Sequence, residues 1–500
     1  MIRSNKSLIG LLFLVAFIAT LFFTLGIPFF WEDGQIALYS PVGFREIIRL
    51  SKPDFFHLNY NSRMMTGPIL GWQHYFLGMN LLSYRIFRAI VYSLLVVFCF
   101  LFLKRFTSRK IAFWGAFFYI FVPETWFQVV YQDIGLFSHL ALVGAFLIFL
   151  KTYKLANRVF LRFISLAVVL ILLNFSINTK HEGRYALLIF LPLCFIYQRK
   201  AIWRNIWFFL TLLFISFPIL GLFVKHGQRL VSNDKINLSL NILIVKFFTN
   251  FKDPLFTLGI LMWPLLAVSL LLLIRAGMRK KNMLFWLKLS EAEGLIFSFF
   301  WFFSALIFNF LIECWDYPPR SFQKTYYTYL WMPFLVFVFS LGYSAYKYAQ
   351  RKKIFLGFFI ISILISFIFN VDMLNKTRGA WGGYWIGMGN LKKLVDSGSK
   401  HALLILPPMH FHKDIYFYDS ANQVDLTPFY TDIPTLRGLY KTGKFDAIYI
   451  ADRKKLDFKT GASVKFIGEA VNMSSGPYDM FKFKFGKRPK PVFYVYRYSP

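Results

Sequence analysis

Residues 8–34 read LIGLLFLVAFIATLFFTLGIPFFWEDG. No charge occurs from Leu8 to Phe30, and then Glu32 and Asp33 stand side by side. A run of about 20 apolar residues is the length an α-helix needs to cross a bilayer. In lipid every backbone amide must be bonded within its own segment, so the run predicts a spanning helix. A chain leaving a bilayer has little structural need for two adjacent carboxylates. Trp31-Glu32-Asp33-Gly34 is therefore the first place to look for chemistry.

The pattern recurs along the chain. Of 500 residues, 57% are hydrophobic, 21% aromatic and 16% charged, and the mean hydropathy is +0.52. Soluble domains carry about 25% charged residues. Apolar runs near 8–30, 84–103, 111–123, 127–150, 160–178, 185–198, 203–223, 255–274, 295–313, 326–346 and 354–371 predict about 11 transmembrane helices. The fold class expected is a polytopic all-α membrane domain over residues 1–371, with an outer loop 31–67. Pro123-Glu124 separates the third and fourth runs and predicts a tight hairpin or a re-entrant pair. Pro68 to Leu82 is apolar but short, an interfacial helix or part of the second span.

The character changes from about Val371. Gly, Pro, Asp and Lys recur, and no span-length apolar run follows. Ala402 to Leu406, Ile415 to Tyr418, Ala447 to Ile450 and Val492 to Tyr496 are β-type runs. Pro434 to Tyr440 predicts a helix capped by Thr431-Asp432. A small extracytoplasmic α/β domain over residues 372–500 is expected.

The net charge of +33 does not indicate nucleic acid, because the basic residues are not gathered on one domain. They sit in every second loop, as in Lys104-Arg105, Lys151, Arg199-Lys200, Arg279-Lys280-Lys281 and Arg351-Lys352-Lys353. Cytoplasmic loops of membrane proteins carry this excess. The rule places the chain in the plasma (inner) membrane with the N-terminus cytoplasmic and, after an odd number of spans, the C-terminal domain outside. The first span reads as uncleaved, since no small-residue cleavage site follows it. Cys99, Cys194 and Cys314 form no CxxC pair, so no disulfide or zinc framework is indicated. P-loop, GxGxxG, HExxH and GxSxG patterns are absent in any fitting context, which removes support for ATPase, Rossmann and protease readings.

With this topology the outer side holds the candidate residues. Asp33, with Glu32 beside it, is a general base if it reaches the proton of an acceptor hydroxyl or amine; the bland reading is a solvated loop acid. Asp133 follows Gln128-Val129-Val130-Tyr131-Gln132 near the outer end of the fourth span, where an acid is costly unless it faces a cavity or partner. Asp33 and Asp133 could share a site with a divalent cation, Mg or Mn, since hard cations favour oxygen ligands. Lys180, His181 and Arg184 form a basic cluster where topology calls for none, and Arg320 with Lys324 repeat the theme. Such groups hold phosphate or pyrophosphate; the bland reading is contact with anionic lipid headgroups.

At these residues the chain resembles the GT-C superfamily of membrane glycosyltransferases, nearest the protein O-mannosyltransferase and aminoarabinose transferase branch. Trp31-Glu32-Asp33-Gly34 is similar to the family's acidic first outer loop, and Asp133 to its second-loop acid. Thr66-Gly67-Pro68-Ile69-Leu70-Gly71-Trp72 resembles its Pro-rich helix start, and Tyr84-Arg85-Ile86-Phe87-Arg88 the head of its second span. Asn178-Thr179-Lys180 and Arg320 through Tyr329-Leu330-Trp331-Met332-Pro333 resemble two further segments. Asn59-Tyr60-Asn61-Ser62-Arg63 stands where the family often has an acidic or His pair, which leaves His57, Arg63 and His181 as accessory candidates.

The resemblance implies transfer of a sugar from a polyprenyl-phosphate donor to a lipid, glycan or protein acceptor on the outer face. Asp33 would be the base, and Lys180, Arg184, Arg320 and Lys324 would hold the donor phosphate and stabilise it as leaving group. Two rival readings stand beside it. A membrane polysaccharide polymerase or ligase would rely on Arg and His in large outer loops. A lipid-linked sugar transporter or flippase would show helix breaks at matching places in two halves.

Overall fold

The computed structural model describes residues 5–24, 66–77, 81–122, 125, 129, 133–152, 159–179, 262–279, 292–315, 328–368, 370–371, 374, 400–405, 423–427, 433–452, 464–472 and 490–498. Two compact units form, one around helices and one around a sheet.

The helices are α1 (Asn5–Thr24), α2 (Thr66–Leu77), α3 (Leu81–Phe106), α4 (Arg109–Ile120), α5 (Asp133–Thr152), α6 (Val159–Thr179), α7 (Met262–Arg279), α8 (Ala292–Trp315) and α9 (Thr328–Tyr348), then α10 (352–368). Apart from α2, each overlaps one of the apolar runs read from the sequence. The runs near 185–198 and 203–223 lie outside the described residues. Asn5–Thr24 and Leu82–Phe106 are long and apolar enough to cross a membrane, and four shorter apolar helices accompany them. The ambiguous stretch after Pro68 is resolved as a helix of its own, α2.

Pro123-Glu124, where a tight hairpin or a re-entrant pair is expected, lies outside the described residues; α4 ends at Ile120 and α5 begins at Asp133. Phe121 N–H bonds the Phe118 carbonyl at 3.0 Å and Val122 N–H the Tyr119 carbonyl at 3.3 Å. These tight i→i+3 bonds close α4 just before Pro123, which has no N–H to continue it.

On three helices polar groups lie on the buried face and the exposed face is apolar. On α3, Arg85, Arg88, Tyr92 and Ser93 are buried, while Ile86, Ile90 and Leu94 are exposed in a stripe four residues apart. On α1, Thr20 and Thr24 are buried and Leu14, Ile18 and Phe22 exposed. On α10, Ser362 and Ser366 are buried among exposed isoleucines and leucines. Water would oppose this arrangement and a bilayer favours it, because lipid solvates apolar side chains and excludes polar ones.

The core of the bundle is aromatic. Trp301 of α8 has ring centroids of Phe102 (α3), Phe146 (α5) and Phe297 within 5.0, 5.2 and 5.5 Å. Gly294 lets α8 approach α3. A Cβ there would meet the Phe106 side chain at 2.5–2.8 Å. Close approach through small residues replaces the hydrophobic drive that lipid does not supply.

α5 and α6 pack as an antiparallel pair, locked by two serines. Ser138 Oγ donates to the Ser176 carbonyl at 3.0 Å, Ser176 Oγ to the Ser138 carbonyl at 2.9 Å, and the hydroxyls lie 3.0 Å apart. A double-mutant cycle with Ser138→Ala and Ser176→Ala, read by thermal unfolding in detergent, is expected to give a coupling of about 0.6 kcal/mol and at most about 1.7 kcal/mol. Zero coupling would mean that the register is set by packing alone.

The second unit holds a five-stranded mixed sheet ordered β2-β1-β3-β5-β4. Its strands are β1 (His401–Ile405), β2 (Gln423–Thr427), β3 (Ala447–Asp452), β4 (Val464–Asn472) and β5 (Lys490–Tyr498), with α11 (Ile433–Lys441) between β2 and β3. β1 pairs in parallel with both β2 and β3, and β5 runs antiparallel to β3 and β4. β1, β3, β5 and α11 fall on segments read from the sequence, Ile415 to Tyr418 and the cap residues Thr431-Asp432 lie outside the described residues, and β2 and β4 were not foreseen.

Leu436 of α11 joins Leu403, Ile405, Ile448, Ile450 and Tyr496 in this unit's core. Gly443, at φ +70°, ends the helix turn in the left-handed region that glycine tolerates best. The Asp446 carboxylate accepts from the backbone N–H groups of Lys400 at 2.5 Å and His401 at 3.2 Å, which fixes the start of β1 beside β3.

Candidate functional site

The N-terminal end of α3 carries two cations three residues apart, Arg85 and Arg88, each only 1% exposed. Burying a guanidinium in an apolar helix bundle is expensive unless it is held by acceptors or rings, and such groups mark functional positions in membrane proteins. Arg88 Nη1 reaches the Val129 carbonyl at 3.5 Å, and its guanidinium lies 5.8 Å from the Tyr84 ring centroid. One turn on, the Tyr92 hydroxyl lies 2.8 Å from Thr125 Oγ1 and 3.0 and 3.3 Å from the carbonyls of Tyr119 and Ile120. Thr125 Oγ1 donates to the Val122 carbonyl at 2.7 Å.

These contacts occupy the carbonyls that the end of α4 leaves without helical partners. They also bracket the segment between α4 and α5, from Tyr119 to Val129, that leads to Asp133. Tyr92→Phe is expected to cost about 0.5–1.5 kcal/mol of stability and to speed amide exchange at residues 121–125. Hydrogen-exchange mass spectrometry would show it, and unchanged exchange there would rule out the staple.

Asp133 is the first residue of α5, and Thr179 the last of α6, with its hydroxyl bonded back to the Phe175 carbonyl at 2.6 Å. The Ser138–Ser176 pairing sets the antiparallel register. Asp133 lies five residues before Ser138 and Thr179 three after Ser176, so at 1.5 Å per residue both come to the same end of the helix pair, roughly 5–8 Å beyond the serines. The Phe87 ring packs at a tilt against Phe137, centroids 5.7 Å apart, and keeps the head of α3 at that end. Phe118, at the close of α4, lies 6.3 Å from Trp331 in the first turn of α9. Five helix termini thus gather on one side: the starts of α3, α5 and α9 and the ends of α4 and α6.

Of the residues singled out in the sequence, Asp133 is placed by its backbone at this end. Lys180 follows Thr179 directly, and Arg320 and Lys324 precede α9 by a few residues. Glu32, Asp33, His57, Arg63, Lys180, His181, Arg184, Arg320 and Lys324 lie outside the described residues. Among the described residues no three His, Cys, Asp or Glu side chains come together.

Sequence reasoning used Arg85 and Arg88 only as the head of a span. Their signal was available: two cations on the inner face of a helix whose opposite face reads Ile86, Ile90 and Leu94. His139, six residues after Asp133 on α5, is fully buried in the interior.

No protein family profile matches the sequence, and no curated protein sequence does. Solved structures do. ArnT from Cupriavidus metallidurans, in the apo state, aligns over 99% of this chain and 98% of its own length at 10% identity, with a TM-score of 0.50. The arabinofuranosyltransferase AftD from mycobacteria aligns over 99% of this chain at 12% identity, with a TM-score of 0.46; the chain spans 40% of its length.

Proposed function

We propose that this chain, which shares the GT-C fold, is an integral membrane glycosyltransferase. It moves a sugar from a polyprenyl-phosphate donor to a lipid, glycan or protein acceptor on the extracytoplasmic face. The observation that carries this reading is the gathering of five helix termini around two buried arginines, at the end where the chain leads into Asp133 and Lys180. An anionic donor needs cations in a site shielded from water, and an acceptor needs an acid close by.

In this reading Asp33 takes the proton from the acceptor hydroxyl or amine as its heteroatom bonds the anomeric carbon. The bond from that carbon to the phosphate oxygen breaks, and the electron pair leaves on the phosphate. Lys180, Arg184, Arg320 and Lys324 receive that charge, preorganised so that little reorganisation is needed as it develops. Glu32 and Asp133 complete the acidic side, with His57, Arg63 and His181 as accessory groups. Asp33 and Asp133 would hold a divalent cation, Mg or Mn, beside the donor phosphate. Arg88 is a positioning residue, acting through the backbone that precedes Asp133. The chain spans the plasma membrane about 11 times with its N-terminus inside and the sheet-bearing unit outside.

The test supplies the purified full-length protein with a panel of polyprenyl-phosphate sugars and a membrane-glycan extract, and follows the sugar by mass spectrometry. One donor consumed with a matching gain of mass on an acceptor is the expected result. Substrate crossing proteoliposomes with no covalent product would replace this reading with transport.

A further inference from the structure

Along the same helices, from Phe137 to a mouth at their other end, lies a cavity of about 650 Å³ between α3, α5 and α6. Its wall is apolar: Phe98 and Leu101 from α3, Leu140, Gly144 and Leu147 from α5, and Leu172 from α6. Its mouth is basic. Lys104 and Arg105 close the last turn of α3, Lys151 closes that of α5, and all three line the cavity. Among the described residues no acid lines it. The α5 wall runs from Phe137 to Lys151, which at 1.5 Å per residue is roughly 21 Å, an elongated slot and not a round pocket.

Gly144 opens the middle of the slot. A Cβ at that position would sit in ordinary contact with Phe98 Cε2 at 3.5 Å and Leu172 Cδ1 at 3.7 Å, so any larger side chain would bridge the slot. Basic residues at membrane-facing helix ends are expected from topology and by themselves specify no ligand. A chain-length apolar slot that ends on three of them is a different object. It complements a molecule with one apolar tail and one anionic head.

We propose that this cavity is a binding site for an anionic phospholipid, one acyl chain lying along Gly144 and the phosphate held by Lys104, Arg105 and Lys151. The basic mouth lies at the end of the bundle away from Arg85 and Asp133, and belongs to the cytoplasmic leaflet in the topology given above. The headgroup position is therefore separate from the proposed donor site. It rests on the membrane immersion of the helices and not on transferase activity.

The full-length protein in mild detergent is incubated with phosphatidylglycerol, with phosphatidylcholine of the same chains, or with inorganic phosphate, and retained ligand is read by native mass spectrometry. Wild type is expected to keep phosphatidylglycerol over phosphatidylcholine. Lys104→Gln with Lys151→Gln is expected to weaken phosphatidylglycerol retention about 30-fold, at about fivefold per cation near a headgroup, and to leave phosphatidylcholine unchanged. Gly144→Leu is expected to lower retention of both lipids, with far-ultraviolet circular dichroism confirming the helices. Equal retention of the two lipids by wild type, or phosphatidylglycerol retention untouched by the double variant, would overturn the proposal. Displacement of the lipid by millimolar inorganic phosphate would assign the basic mouth to a free anion instead. None of these outcomes depends on sugar transfer.

Discussion

Asp33→Asn is expected to lower sugar transfer by about 10²–10⁴-fold, the usual contribution of a positioned general base, with donor binding retained. The substitution keeps the shape of the side chain and removes only its capacity to take a proton. A base that acts on the acceptor in the transition state affects kcat and kcat/KM together and leaves donor affinity alone. Donor affinity therefore serves as the internal control, measured by retention of the polyprenyl-phosphate sugar in native mass spectra. If the variant binds donor and transfers at the wild-type rate, Asp33 is a loop acid and the base must be sought elsewhere, first at Glu32 and Asp133. If donor binding is lost as well, Asp33 supports the donor site and its role as base is not the explanation.

Trp301→Ala is expected to produce the largest loss of stability. The indole is fully buried and touches rings from α3 and α5 as well as its neighbour on α8. Truncating a buried Trp or Phe costs about 3–5 kcal/mol in cores that cannot collapse around the void. Here the rings of Phe102, Phe146 and Phe297 would face that void together. In lipid or detergent the apolar transfer term shrinks, so packing and aromatic geometry must supply the energy. Thermal unfolding in detergent reads it directly, and Trp301→Phe should recover part of the loss by restoring an aromatic ring. A Trp301→Ala protein that unfolds at the wild-type temperature would show that α3, α5 and α8 are held by other contacts.

Much of the helical unit was legible because its signal is one-dimensional. The length of an apolar run maps onto a helix whatever its neighbours do, and α1, α3 and α6 overlap runs that needed nothing beyond counting. The end of α4 was legible only in part, from Pro123. The helix stops at Ile120, where hydrogen bonds from Phe121 and Val122 close α4 and Tyr92 reaches across from α3. β2 and β4 escaped notice because their residues mix polar and apolar types. β2 follows the parallel register of β1, and β4 is pinned by β5 through two bulges. Pairing partners far along the chain decide such strands, and no local pattern encodes them.

Composition and periodicity determined, by themselves, an apolar helical chain with a distinct α/β region after it, and pointed to acids and cations at loop boundaries. Those properties follow from the solvent each segment requires, which local sequence specifies. Which helix ends come together, which face of α3 turns its arginines inward, and where an apolar slot meets three cations were decided only in three dimensions. Helix packing depends on the shapes of several distant segments at once, on a glycine such as Gly294 that admits a neighbour and a serine pair that fixes a register. Those terms exist only between elements.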